Sequence, residues 1–240
     1  IFNIYDLHPV ASALFSIFSI LVIINAFNLI DGINGLSGSI GTLIAVTFGT
    51  WFFLVQRIEL SLVAFALAGS LIAFLKYNYT PAKIFMGDTG ALIVGLVCAV
   101  LSIKFIEFHK EAPESIYAFH AAPAVAIGIM IFPLYDTLRV FVLRVANKKS
   151  PFYPDRKHIH HMLIDLGLTH MQATLILVTI NALFIVFSFI FQDIGSFNLI
   201  MILLGMALTG SIILKQLLNY KQKELRTSKS KSDKTLAGIK

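Results

Sequence analysis

A hydrocarbon layer about 30 Å thick takes roughly 20 residues of helix to cross. Apolar runs of that order recur in this chain near 10–27, 36–55, 61–76, 90–106, 120–142, 172–191 and 197–215. Runs this long and this frequent exclude a soluble domain built on one buried core. They are continuous rather than alternating polar and apolar, so they predict helices and not the strands of a membrane barrel. The expected fold is an all-α polytopic membrane protein with about seven transmembrane helices, the one over 120–142 kinked at Pro133. Composition agrees, with 57% hydrophobic and 13% charged residues and a mean hydropathy of +0.83, well above the soluble range. The single cysteine, Cys98, lies inside an apolar run, which excludes a disulfide framework and reads as an inert packed thiol.

Basic residues in short loops stay on the cytoplasmic side. If the spans alternate, 16 of the 19 Lys and Arg fall on one side, leaving Arg57, Lys104 and Lys110 on the other. That side is therefore expected to be cytoplasmic, and the formal charge of +6 gathers there. Anionic lipid headgroups and a phosphorylated substrate account for it, and no nucleic acid is required. Residues 219–240 are rich in Lys and Ser without an apolar stripe, and read as a basic cytoplasmic tail that frays or lies along the leaflet.

Three polar clusters fall on the same side. The first is Asn25-Ala26-Phe27-Asn28-Leu29-Ile30-Asp31-Gly32-Ile33-Asn34-Gly35, where Asn25, Asn28 and Asp31 follow one helical ridge out of the membrane. Polar groups at a membrane boundary are costly, which favours a ligand-holding role, although helix capping followed by a turn accounts for Asn34-Gly35 alone. The second is Phe85-Met86-Gly87-Asp88-Thr89-Gly90, in which Asp88 is suited both to capping the next helix and to offering a carboxylate to Mg²⁺. The third is Pro151-Phe152-Tyr153-Pro154-Asp155-Arg156-Lys157-His158-Ile159-His160-His161, a dense array of donors for phosphate or carbohydrate. On a helix His158 and His161 share a face and His160 does not, so the three converge only from a loop or a helix start. A zinc-type histidine site is the competing reading, without a cysteine or helical His-pair signature to support it.

Other ionisable residues carry weaker signals. Asp136 and Arg139, three apart, are expected to neutralise each other. His8, His109, His120 and His170 sit singly at span ends and read as structural. Glu107, Glu111 and Glu114 read as solvated on the far side, and Trp51 with the tyrosines as an interfacial belt.

Taken together, the three clusters resemble the polyprenyl-phosphate N-acetylhexosamine-1-phosphate transferase family, glycosyltransferase family 4, and its WecA/TagO-like branch in particular. The resemblance covers essentially the whole chain in order and spacing. It implies transfer of a sugar-1-phosphate from a UDP-N-acetylhexosamine to a membrane polyprenyl phosphate with release of UMP, at the bacterial cytoplasmic membrane. It implies Mg²⁺, with Mn²⁺ as a substitute, held by Asp88. It further implies Asn25, Asn28, Asp31, His158, His160 and His161 as catalytic polar residues. Phe85, Asn78, Asn34, Asp155 and Arg156 would be substrate contacts, Phe85 by stacking on uracil. A transmembrane transferase domain over 1–218 would then carry cytoplasmic active-site loops at 28–36, 77–89 and 143–171. A homodimer is compatible with the family.

The family's earlier motif of adjacent aspartates has no counterpart, since no Asp-Asp pair occurs in this chain. That motif, and the remaining spans of the family's ten or eleven, are expected upstream of Ile1, so the 240-residue chain alone is expected to show little transfer. Asn34 stands where the family usually has aspartate, and Ala91 where serine is common. A transporter or an inactive membrane scaffold are the alternative functions. The first predicts polar residues near the bilayer midplane and repeat-related broken helices, and neither pattern is evident here.

Overall fold

The computed structural model of the chain describes residues 8–112, 115–150 and 157–237. Among these, the ordered elements are helical: α1 (Pro9–Ile30), α2 (Leu36–Leu54), α3 (Ile58–Asn78), α4 (Gly87–Glu111), α5 (Ala122–Ile129), α6 (Ile131–Ala146), α7 (Ile159–Asp165), α8 (His170–Ile190) and α9 (Ser196–Ala237). Six of them are long and apolar enough to cross a membrane, and α5 with α6, bent by 82°, are together apolar enough to form a broken seventh span or a re-entrant loop. The chain is thus an all-α polytopic membrane protein, as its apolar runs predict.

The bend is displaced from the predicted place. Pro133 lies in the first turn of α6, and the break falls at Met130, on the N-terminal side of the proline. A prolyl ring clashes with the carbonyl four residues earlier and offers it no N–H, so it is the turn before the proline that yields. That carbonyl belongs to Ile129, and Asn181 of α8 supplies the missing donor through Nδ2 at 3.1 Å. Asn181 Oδ1 in turn accepts from the Phe132 N–H at 3.1 Å. One fully buried carboxamide therefore satisfies both backbone groups freed by the break.

Between apolar helices in lipid, close packing has to replace the hydrophobic effect, and small residues permit it. The α1–α4 contact depends on Gly95, where an added Cβ would stand 2.7 Å from Ile24 Cα. This approach sets the end of α1 beside the start of α4. Phe27, Phe48, Phe52 and Phe105 fill the centre and are fully buried, whereas Phe18, Leu62, Leu175 and Leu183 point outward, as apolar side chains facing lipid do.

At the end of the bundle away from the three clusters, Trp51 is core rather than belt. It is buried, packs edge-on to Phe105 at 4.4 Å, stacks on His109 at 4.9 Å and donates to Tyr117 O at 3.3 Å. Nearby, Glu111 pairs with Arg57 at 2.9 Å and Glu107 with Lys104 at 2.6 Å, so these acids are partnered, while Glu114 lies outside the described residues. The basic tail does not fray where it is described, because α9 runs without interruption from the last span to Ala237. Lys, Gln, Glu and Leu are good helix formers, and a span that is already helical removes the cost of nucleation.

Candidate active site

Each of the first two clusters occupies a helix end. Asn28 is in the last turn of α1, Asp31 is its C-cap, and Asp88 is the second residue of α4. Asp88 is not the N-cap, which is Met86. Its carboxylate, exposed at the positive end of the α4 dipole, instead accepts a hydrogen bond from Asn28 Nδ2 at 3.0 Å. Asp31 lies close enough to feel the Asp88 charge. Burial and then Asp88 push its carboxyl up to about 6, against a hydrogen bond from the Gly87 N–H that favours the ionised form. Asn25, a turn deeper, donates Nδ2 to Leu21 O at 2.7 Å and stays exposed on its own helix.

The loop after α1 is braced by buried polar contacts. Gly35 N–H donates to Asn78 Oδ1 at 2.7 Å, and Asn78 Nδ2 donates to Ile84 O at 2.8 Å. The Asn78 amide thus ties the first cluster to the loop that carries Phe85. Phe85 itself is 76% exposed, an aromatic face open to a ligand. Asn34 Nδ2 donates to Thr80 Oγ1 at 3.2 Å, and its carbonyl accepts from Thr174 Oγ1 at 2.9 Å.

The third cluster enters as a helix start, the arrangement that lets its histidines converge. His158 is the N-cap of α7, and His160 and His161 belong to the first turn. The His158 and His160 rings lie parallel within 12° at 5.6 Å, and His161 packs on His160 at 4.2 Å. His160 is completely buried and rests on Gly32, where an added Cβ would stand 3.1 Å from ring atoms Cδ2 and Cε1 and nearer still to Nε2. Neither of its ring nitrogens has a hydrogen-bond partner among the described residues. Burial, with help from the charge on His161, pushes its pKa down to about 3, so the ring is neutral. At the other end of α7, Lys221 of α9 donates Nζ to Leu166 O, a cation at a helix C-terminus. Asp155 and Arg156 lie outside the described residues.

Several contributors escape sequence reading. Asp136 accepts from His158 as well as from Arg139. His170, read as a lone structural histidine, receives the Asn34 N–H at 3.4 Å. The signal for Asp136 is a carboxylate on an apolar helix 22 residues before a histidine it meets only in the folded chain.

Residues 1–106 match glycosyl transferase family 4, and that stretch contains the first two clusters whole. The histidine cluster lies beyond it in sequence and is seated on it in space, at Gly32. Among curated relatives of the family-4 segment, a probable undecaprenyl-phosphate N-acetylglucosaminyl 1-phosphate transferase of Bacillus subtilis is 37% identical over 128 residues, 53% of this chain and 32% of the relative. A decaprenyl-phosphate N-acetylglucosaminephosphotransferase of Mycobacterium leprae is 32% identical over 120 residues, 49% of this chain and 30% of its own length. An undecaprenyl-phosphate alpha-N-acetylglucosaminyl 1-phosphate transferase of Haemophilus influenzae is 32% identical over 151 residues, 60% of this chain and 40% of that protein. The match thus spans 30–40% of the length of these relatives.

Proposed function

We propose that the protein transfers N-acetylhexosamine-1-phosphate from a UDP-sugar to a polyprenyl phosphate at the cytoplasmic face of a bacterial membrane, releasing UMP. The observation that carries this reading is the meeting of three polar clusters at one end of the bundle. Asn28 bonds Asp88 across 60 positions of sequence, and His160 lies on Gly32. The names of the relatives, which specify polyprenyl-phosphate N-acetylglucosaminyl 1-phosphate transfer, supply the substrate class.

In this reaction a phosphate oxygen of the lipid forms a bond to the sugar-bearing phosphorus. The bond from that phosphorus to the bridging oxygen breaks, and UMP leaves with the oxygen. Attack of one anion on another calls for charge neutralisation and in-line positioning more than for a protein nucleophile. The residues present fit Mg²⁺. Asp31 and Asp88 place two carboxylates near enough that Asp88 adds to burial in raising the Asp31 pKa, a charge conflict that a cation relieves. Mg²⁺ takes one or two protein carboxylates and completes its shell with water and substrate phosphate. Asp88, oriented by Asn28 and with Asp31 beside it, would hold the ion, which when bound supplies neutralisation of the pyrophosphate charge.

The chain's own groups do the rest. Asn28 fixes the Asp88 carboxylate, His158 and His161 place their imidazole rings at the start of α7, and exposed Phe85 offers a face for the uracil. His160, neutral and without a hydrogen-bond partner among the described residues, carries one N–H and one lone pair without adding charge. Arg156 and Asp155 complete the loop in the family resemblance. The test is the full-length protein with polyprenyl phosphate, labelled UDP-GlcNAc and Mg²⁺. Release of UMP with formation of a lipid-linked sugar supports the reading, and an intact protein that releases none overturns it.

A further inference from the structure

Asp136 and Arg139 do more than neutralise each other. The Asp136 side chain is fully buried on α6 and uses both oxygens. Oδ1 accepts from Arg139 Nη2 at 3.1 Å and from the Ile159 N–H at 3.0 Å, while Oδ2 accepts from His158 Nδ1 at 2.9 Å. Arg139 Nη2 donates in addition to Lys157 O. Three consecutive residues, Lys157, His158 and Ile159, are therefore gripped by one ion pair as the chain enters α7. A pair that only balanced charge would have no need of the histidine ring or of the two main-chain groups.

Two consequences follow from the chemistry of the donors. An ionised carboxylate has lone pairs and no proton, so His158 Nδ1 carries the proton in either charge state of the ring. Nε2 is the nitrogen left for a ligand, as a lone pair in the neutral ring and as an N–H in the charged one. The Ile159 N–H is one of the first-turn amides of α7 that lack a helical partner, and its capture sets the position and rotation of that helix. His160, the next residue, is thereby delivered onto Gly32 with its ring parallel to that of His158.

We propose that Asp136, backed by Arg139, is a positioning residue that fixes the tautomer of His158 and the seating of His160 in the active site. The kinetic part of the proposal rests on the transferase reading, and the spectroscopic part does not.

The test uses the full-length protein labelled with ¹⁵N at histidine, with the His158 signals identified by their loss in His158→Gln. The wild-type ring is expected to carry its proton on Nδ1. In Asp136→Asn, whose carboxamide can donate as well as accept, a second tautomer is expected. Transfer should then lose on the order of 10²-fold in kcat, with KM for the UDP-sugar changed by less than about threefold. Asp136→Glu should recover part of the loss, because the carboxylate is restored. Arg139→Gln should keep the wild-type tautomer and lose less activity, because the Asp136–His158 bond survives. A wild-type His158 with a bare Nδ1 overturns the proposal without any variant. So does an Asp136→Asn protein with an unchanged tautomer, or with unchanged kcat. If Asp136→Asn does not fold, the wild-type tautomer and Arg139→Gln decide. A wild type that releases no UMP refutes the transferase reading alone, and the NMR result still decides whether Asp136 positions His158.

Discussion

Gly32→Ala would add a single methyl group where α7 rests on the loop after α1. Gly32 is not among the glycines with a left-handed backbone, so alanine meets no torsional penalty there. By restricting the unfolded chain it would otherwise stabilise the protein by about 0.4–1 kcal/mol. The contact reverses the sign. The methyl would stand 3.1 Å from two carbons of the His160 ring and closer to Nε2, inside the roughly 3.5–4.0 Å at which such atoms attract. The ring has no solvent-facing escape, being fully buried and packed against His158 and His161. Ring and helix must therefore retreat by a distance on the order of 1 Å, which costs about 1–3 kcal/mol as overpacking. If His160 works where it sits, that displacement should lower UMP release from UDP-GlcNAc by on the order of 10²-fold. Thermal unfolding in detergent would report the stability loss. The cycle with His160→Ala separates the causes, since removal of the ring should abolish the destabilisation by Gly32→Ala without restoring activity. Near-wild-type turnover and unfolding temperature in Gly32→Ala would refute the reasoning, as would an undiminished penalty in the His160→Ala background.

Asn28→Leu removes the donor that orients Asp88, and the Mg²⁺ concentration for half-maximal rate should rise by about 10- to 100-fold; an unchanged Mg²⁺ titration would contradict this. Phe85→Ala removes an exposed ring, so KM for the UDP-sugar should rise by the equivalent of about 1–3 kcal/mol of stacking with the unfolding temperature unchanged, and an unaltered KM would exclude Phe85 as the base platform. Asn181→Leu strands the Ile129 carbonyl and the Phe132 N–H in a buried setting, at about 1–3 kcal/mol each, so the unfolding temperature should fall clearly, and a thermostable variant would show that the break needs no staple. His160 has a folded pKa of about 3, below its ordinary value of 6.5, so the unfolded state binds the extra proton in that window. Its contribution is complete above pH 6.5 and is lost by about 1.4 kcal/mol per unit as pH falls toward 3; a ¹⁵N titration in which the His160 ring becomes charged near pH 6 would refute the assignment.

The parts of this fold that are legible in the sequence depend on short-range patterns. Apolar length gives the spans, and steps of three along α1 place Asn28 and Asp31 together at its end. A run of histidines at a helix start announces the third cluster. The parts that are not legible depend on contacts between distant segments. Pro133 signals a bend, but the position at Met130 follows from the carbonyl that the proline displaces and from Asn181, 48 residues later, which accepts the consequences. Asp88 has the sequence of an N-cap and becomes instead the acceptor for Asn28, because the α1–α4 approach at Gly95 brings that carboxamide within reach. His170 and Asp136 have the local sequence of ordinary span-end residues, and only the packing of α8 and α6 against the clusters gives them partners there.

Placing a charged site at helix ends also resolves a conflict between chemistry and lipid. Deep in hydrocarbon, two neighbouring carboxylates would be protonated or absent; at the end of α1 and the start of α4, partial burial and then the neighbouring Asp88 raise the Asp31 pKa to about 6 and still leave that group largely ionised at neutral pH. The geometry needed to keep them adjacent then comes from the apolar part of the same helices, at Gly95 and Ile24, where the absence of a side chain lets the two backbones approach closely. Substitutions at that dry contact should consequently damage the site without touching any residue in it, by separating Asn28 from Asp88.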